Sequence, residues 1–300
     1  MAHDSSMDFF WGKRLVIFGC GYVGAAVARE VLTRGARVTA LTRNEAIASV
    51  LRQEGIDTVV ADLATDVWHE RVAGSPDFSL NCVSSGGGGV DGYRHSYVGG
   101  MASIVAWARR QGPVGTLVYT SSTSVYPQGD GAVVDESAPT DLAEERGQLL
   151  LEAETRLRGG TGSCGRWFVL RLAGIYGPGR HHLVDQVRGG EVSGVGSQRL
   201  NLIHRDDIVA AILACFGAPS TVANEIFNVA DDGAATKADV ALWLAARLGV
   251  PAPGFSGAPA EARRSVTPDR IIANAKLKAR LGWRPGHPTF REGYANLGSR

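Results

Sequence analysis

The sequence predicts an α/β protein built on a doubly wound parallel sheet, with a smaller, partly interleaved C-terminal lobe. Three observations predict it. Strand-like apolar runs alternate with helical segments as far as residue 175, the pattern of successive βαβ units. The run Arg14-Leu-Val-Ile-Phe18 leads directly into Gly19-Cys-Gly-Tyr-Val-Gly24 and then an amphipathic helix, a strand–glycine loop–helix junction. Beyond residue 175 the alternation loosens into shorter elements and glycine-rich stretches.

The elements follow in order. Residues 14–18 form strand one and 25–34 the first helix; 36–41 form strand two and 44–53 the second helix. Asp57-Thr-Val-Val60 is strand three and 78–83 strand four. Ser84-Ser-Gly-Gly-Gly-Gly89 is a flexible break before a helix over 93–110. Strand five covers 115–120, a helix 142–158 and strand six 166–171. A glycine-rich loop follows at 189–198, then a helix at 206–216, a strand at 225–229, a helix at 237–248 and a Pro/Gly/Ala linker at 251–259. The expected division is a dinucleotide-binding core over 12–178, with 200–230 returning to it, and a substrate-side lobe over 179–199 and 231–300.

Composition narrows the function classes. A net charge of +1 favours neither nucleic acid nor an anionic membrane as partner. No apolar run is long enough to span a bilayer, and residues 1–11 carry Asp4 and Asp8 without the apolar core of a signal peptide. Cys20, Cys82, Cys164 and Cys215 match no zinc spacing, so no metal is expected and the thiols read as those of a reduced cytoplasmic protein.

The glycine loop is a device for holding a diphosphate. Gly19 permits the tight turn, Gly21 lets bare backbone approach the anion, and Gly24 lets helix and strand pack closely. With Tyr22 and Val23 they form the expected cofactor contact, where the helix N-terminus offers N–H groups and positive dipole. The tip of strand two reads the adenosine ribose. Here it is Leu41-Thr42-Arg43-Asn44, with no carboxylate before Glu45, so Arg43 points to NADP, with NAD the alternative.

These features resemble the extended short-chain dehydrogenases/reductases, the group of NAD-dependent epimerases and dehydratases with a Rossmann fold. The likeness spans nearly the whole chain. Ala61-Asp62-Leu63 looks like the family's Asp-Leu pair at the adenine, and Tyr119-Thr-Ser-Ser-Thr-Ser-Val-Tyr126-Pro is similar to the segment carrying the active-site hydroxyl. Arg171-Leu-Ala-Gly-Ile-Tyr-Gly-Pro-Gly179 resembles the loop facing the nicotinamide, and three further landmarks match at 201–207, 227–229 and 281–285. The resemblance implies cofactor contacts at Asp62, Leu63, Val83, Ser84, Ser121, Ala173 and Ile175. It also implies that Arg180 and Arg199 meet a nucleotide-linked substrate, and that the protein is a monomer or a homodimer.

Two departures stand out. The glycine loop is one residue shorter than in most extended members. More importantly, the family's proton relay, a tyrosine followed four residues later by a lysine on one helix face, is missing. In register with Gly147 and Glu154, the tyrosine slot holds Arg146 and the lysine slot Leu150. Arginine does not shuttle protons near neutral pH, and leucine offers no hydrogen bond. None of the seven tyrosines has a lysine four residues on.

Several residues offer substitutes. Ser122 matches the family's catalytic hydroxyl and reads either as a hydrogen-bond donor to substrate or as a strand-end cap. Arg146 reads as an anion-binding group in the cleft or as a solvated helix arginine. Tyr93 and Tyr97 share a helix face and read as packing or as a phenol reaching the nicotinamide. His181 and His182 read as a polar helix start or a general base, and His204 as structural. Two functions follow: an NADP-dependent oxidoreductase or epimerase/dehydratase-like enzyme acting on a nucleotide-linked or phosphorylated small molecule, or an NADP-loaded sensor or scaffold that has lost catalysis.

Overall fold

The computed structural model describes residues 9–257, 268–295 and 297. The chain start at 1–8 and the end of the expected linker at 258–259 lie outside the described residues. Chain contacts divide into two units: 1–125, 143–171 and 211–227 in the first, and 126–142, 172–210 and 228–300 in the second.

The first unit is organised by seven strands. They are β1 (Arg14–Phe18), β2 (Arg37–Thr42), β3 (Asp57–Val60), β4 (Phe78–Asn81), β5 (Val114–Ser122), β6 (Cys164–Leu172) and β7 (Glu225–Val229). They form one parallel sheet in the order β7-β6-β5-β4-β1-β2-β3. The order reverses between β1 and β4, and Leu15 lies opposite both Val38 and Phe78. A ligand of a doubly wound sheet binds beyond the carboxyl ends of the strands at such a reversal. The strands read as near-continuous apolar runs because both faces are covered.

Helices α1 (Tyr22–Thr33), α2 (Glu45–Gln53), α3 (Gly89–Tyr93), α4 (Gly100–Gln111) and α5 (Glu145–Arg158) belong to this unit. α1 buries Val23, Val27, Ala28 and Val31, and α5 buries Leu149, Leu150, Ala153 and Leu157, spacings that keep one face on the core. Phe18, Trp68 and Trp107 meet at ring separations of 5.1 to 5.6 Å. Both indoles stay satisfied there by donating to the Leu63 and Val72 carbonyls.

The second unit has a smaller core of Val184, Val187, Val192, Val240, Leu244, Phe290 and Tyr294. Its helix Lys237–Leu248 opens on a reciprocal capping box between Thr236 and Asp239.

Several element boundaries differ from expectation. The first helix begins at Tyr22 rather than 25, because Gly21 already serves as its cap. The helix expected from residue 93 starts at Gly89, despite its glycines, and passes through a π-helical turn, Arg94–Gly99, before α4. Tight packing of Gly99 and Gly100 against Ala64 and Leu63 overrides the weak helix propensity there. The 189–198 stretch is not all loop: Glu191–Val192 pairs with Gly254–Phe255, itself part of the expected linker. Val192 is fully buried, which draws this short pair into the second core.

Candidate dinucleotide and active site

The three glycines of the loop have three different physical reasons. Gly19 adopts φ +84°, and a β-carbon there would fall 2.6 Å from the Val83 backbone. At Gly24 a β-carbon would sit 2.8 Å from Cys82 Sγ and 3.1 Å from Ile17, so only glycine lets α1 lie this close to β1 and β4. Gly21 differs from both. A β-carbon on it would meet nothing within 4 Å. It caps α1 without a side chain, and no acidic residue occupies the first turn, so the positive end of the helix faces open space. Bare backbone at a helix N-terminus fits the diphosphate of a dinucleotide.

The ribose-reading end is equally specific. Arg43 stands half-exposed at the tip of β2 with Nη1 3.8 Å from Asp62, and its guanidinium lies against Gly86. Gly86 to Gly89 all have positive φ, which explains a glycine run in this loop. Asp62 Oδ2 lies 2.9 Å from His95 Nε2, and its Oδ1 accepts from the Ala64 N–H. Burial alone would raise the Asp62 carboxyl. The His95 and Ala64 hydrogen bonds, with Arg43 nearby, instead hold it below the ordinary range. Glu45, the nearest carboxylate after the tip, is paired with Arg52 at 2.6 Å along α2.

At the end of β5 the two serines part company. Ser121 is buried, and its hydroxyl donates to Glu154 Oε1 at 2.7 Å. Glu154 is also held by Arg171 at 2.7 Å, a pair with both side chains at most 5% exposed. The sequence hinted at this only through Arg171, a charge inside a buried strand. Such a pair fixes geometry well, because losing either partner strands a buried charge. Ser122 is half-buried, and its Oγ accepts from the Ser124 N–H at 3.1 Å, so the cap is present and the hydroxyl proton stays available to donate.

α5 is pinned against this segment by Gly147, whose β-carbon would lie 3.1 Å from the Ser124 carbonyl oxygen and 3.4 Å from Val125 Cα. Arg146 is thereby set beside the Ser122 loop, where its guanidinium lies 5.4 Å from the Tyr93 ring. Tyr93 in turn packs on Tyr97 at 5.1 Å. Leu150, in the lysine slot, is 2% exposed and belongs to the core. Leu63 is also core, packed on Gly100.

Gly19, Gly21, Tyr22, Val23, Gly24, Arg43, Asp62, Val83, Ser84, Ser121, Ser122 and Arg146 all belong to the first unit. Ala173, Ile175, Arg180 and Arg199 lie in the second. Arg199 is held there by Asp269 at 2.8 Å. His181 stands at the N-cap position of the helix His182–Arg188 without a side-chain capping bond, and His204 packs on His287 with ring centroids 3.7 Å apart. Burial first, and then His287, lowers the His204 imidazole. His204, Asp207 and His287 form a group of metal-ligand type that sequence spacing did not reveal, since His287 is distant in the chain. Hydrogen bonds account for it: Asp207 accepts from the Gly286 and His287 N–H groups and contacts His287 Nδ1.

Residues 15–230, well over half the chain, match the NAD dependent epimerase/dehydratase family. The chain belongs to that family. It is similar to Protein YeeZ of Escherichia coli strain K12, 26% identical over 92% of this chain and 97% of that one. It is 30% identical to the 2-alkyl-3-oxoalkanoate reductase of Stenotrophomonas maltophilia, over 69% of this chain and 66% of that one. A solved UDP-glucuronic acid 4-epimerase from Bacillus cereus, in complex with NAD, superposes with a TM-score of 0.77 over 93% of this chain and 95% of its own at 16% identity, a likeness of fold. Among the described residues no helix is long and apolar enough to cross a membrane.

Proposed function

We propose that this epimerase/dehydratase family member is an NADP-dependent oxidoreductase, or an epimerase/dehydratase-like enzyme, acting in the cytoplasm on a nucleotide-linked or phosphorylated small molecule. The observation that carries the reading is the bare, unobstructed backbone at Gly21 over the N-terminus of α1. Gly19, Gly21 and Gly24 would hold the diphosphate, Asp62 the adenine end and Arg43 the 2′-phosphate. Arg43 supports NADP, and Glu45, the nearest carboxylate after the tip, is paired with Arg52. When bound, the dinucleotide supplies or accepts hydride; the protein has only to orient the reactants and handle a proton. In the first unit Ser122 offers an O–H to a substrate oxygen; in the second the Arg180 guanidinium suits an anionic group, and Arg199 is held by Asp269. The reductase and epimerase relatives support turnover, and four free cysteines support a reducing compartment.

Nicotinamide fluorescence measures the first step. NADPH binds more tightly than NADH, and Arg43→Ala erases the difference, weakening NADPH about tenfold or more as a charge-assisted contact is lost. Equal affinity for the two in the unaltered protein refutes the NADP assignment. A panel of sugar nucleotides and small carbonyl compounds, followed at the nicotinamide band, then reads turnover. A second reading, an NADP-loaded sensor, is favoured by the buried Leu150 in the lysine slot, and predicts tight NADPH binding without turnover on that panel.

A further inference from the structure

Resting on the dinucleotide reading above, we propose that Tyr93, supplied by α3, is the phenol that passes the proton, with Arg146 of α5 as the charge that holds it. The two roles have exchanged helices: the tyrosine slot carries the cation, and that cation lies against a tyrosine from the neighbouring helix. Four of the tyrosines lie in the first unit: Tyr22, Tyr93, Tyr97 and Tyr119. Tyr119 is fully buried, with no hydrogen-bond partner on its hydroxyl. Tyr97 is pushed up to about 12 by burial first and then by Tyr93, which makes it a poor proton carrier. Tyr22 opens α1 at the diphosphate loop, the wrong end for chemistry on a substrate. Tyr93 is half-buried and follows β4 at the carboxyl end of the sheet. It rests on Arg146, which Gly147 sets beside the Ser122 loop.

In the reductive direction the step balances as follows. The bound dinucleotide would supply the hydride that reaches the carbonyl carbon. The C=O π pair moves to oxygen and takes the proton from Tyr93 Oη, while Ser122 donates a hydrogen bond to the same oxygen. The Tyr93 O–H bond breaks, leaving its phenolate beside the Arg146 guanidinium, and solvent water returns the proton. The substrate gains two electrons and the dinucleotide loses two.

Tyr93→Phe is the decisive variant, because it keeps the ring under Arg146 and removes only the hydroxyl. With ethyl acetoacetate as carbonyl probe, kcat falls about a hundredfold or more, the size of a lost general acid. NADPH affinity, read by fluorescence, stays within about threefold, since no diphosphate contact changes. Arg146→Leu lowers kcat similarly, and Arg146→Lys restores part of it. A second readout needs no turnover: tyrosine nitration by tetranitromethane, mapped by mass spectrometry with and without saturating NADPH. Protection of Tyr93 by NADPH supports the assignment. Unchanged nitration of Tyr93 while NADPH is demonstrably bound, or a Tyr93→Phe enzyme with full kcat, overturns it. Failure of NADPH to bind at all instead removes the dinucleotide reading, and this inference with it.

Discussion

At the scale of single residues, the glycines of the first loop separate folding from binding. A methyl group on Gly21 enters open space. Gly21→Ala is therefore expected to fold with an unchanged Tm and to lose dinucleotide binding, because the methyl occupies the path of the anion. Gly19→Ala is expected to fail differently. It forces a left-handed backbone and a collision with Val83, costing roughly 1–3 kcal/mol, which chemical denaturation would register. If both variants bound NADPH and melted like the parent, the assigned diphosphate cradle would be wrong. The contrast between Ser121 and Ser122 belongs at this scale too. Adjacent hydroxyls of identical chemistry divide into one locked on a buried carboxylate and one left to donate, and only the structure shows which is which.

At the scale of elements, the sheet was legible because its strands are buried on both faces and read as apolar runs, and because the strand–glycine–helix junction follows a strict local grammar. What escaped were features decided by tertiary packing. The Glu191–Val192 and Gly254–Phe255 pair exists because Val192 is buried, and the helix continues from the π turn into α4 through Gly99 and Gly100 because these two are pressed on Ala64 and Leu63. In the candidate site, Arg146 and Leu150 were readable from helical spacing. That Arg146 meets Tyr93 was not, because the contact crosses between helices. The turn following β7 yields a pH prediction. Burial first, and then the carboxylates of Asp232, Asp207 and Glu292, push Asp231 up to about 8, with only the Gly233 N–H opposing. Its Oδ2 has no hydrogen-bond partner. The folded state thus holds this proton more tightly than the unfolded chain. The stability it contributes is complete below the ordinary carboxylate range and is lost as pH rises through about 8. Asp231→Asn, a mimic of the protonated form, is expected to match the parent in Tm at pH 4 and exceed it at pH 9, as thermal melts across that range would show. A parent and variant with parallel pH curves would exclude a raised Asp231.

At the scale of the whole molecule, the candidate cradle ties ligand to stability. A dinucleotide that binds only the folded chain stabilises it by mass action, about 2.7 kcal/mol at a hundred times Kd. Saturating NADPH is therefore expected to raise Tm by several degrees, with NADH giving less at equal concentration and Gly21→Ala giving no shift. The π-helical turn Arg94–Gly99 bears on the same question through register. A π turn carries one residue more than an α turn, so it sets the phase between α3 and α4. Taking that one residue out would restore regular winding and swing α3 by about 100° about its axis. Tyr93 would turn away from Arg146 on the neighbouring helix, although no side chain had been altered. The chemistry proposed for this chain thus depends on a count of residues in one helix as much as on their identity.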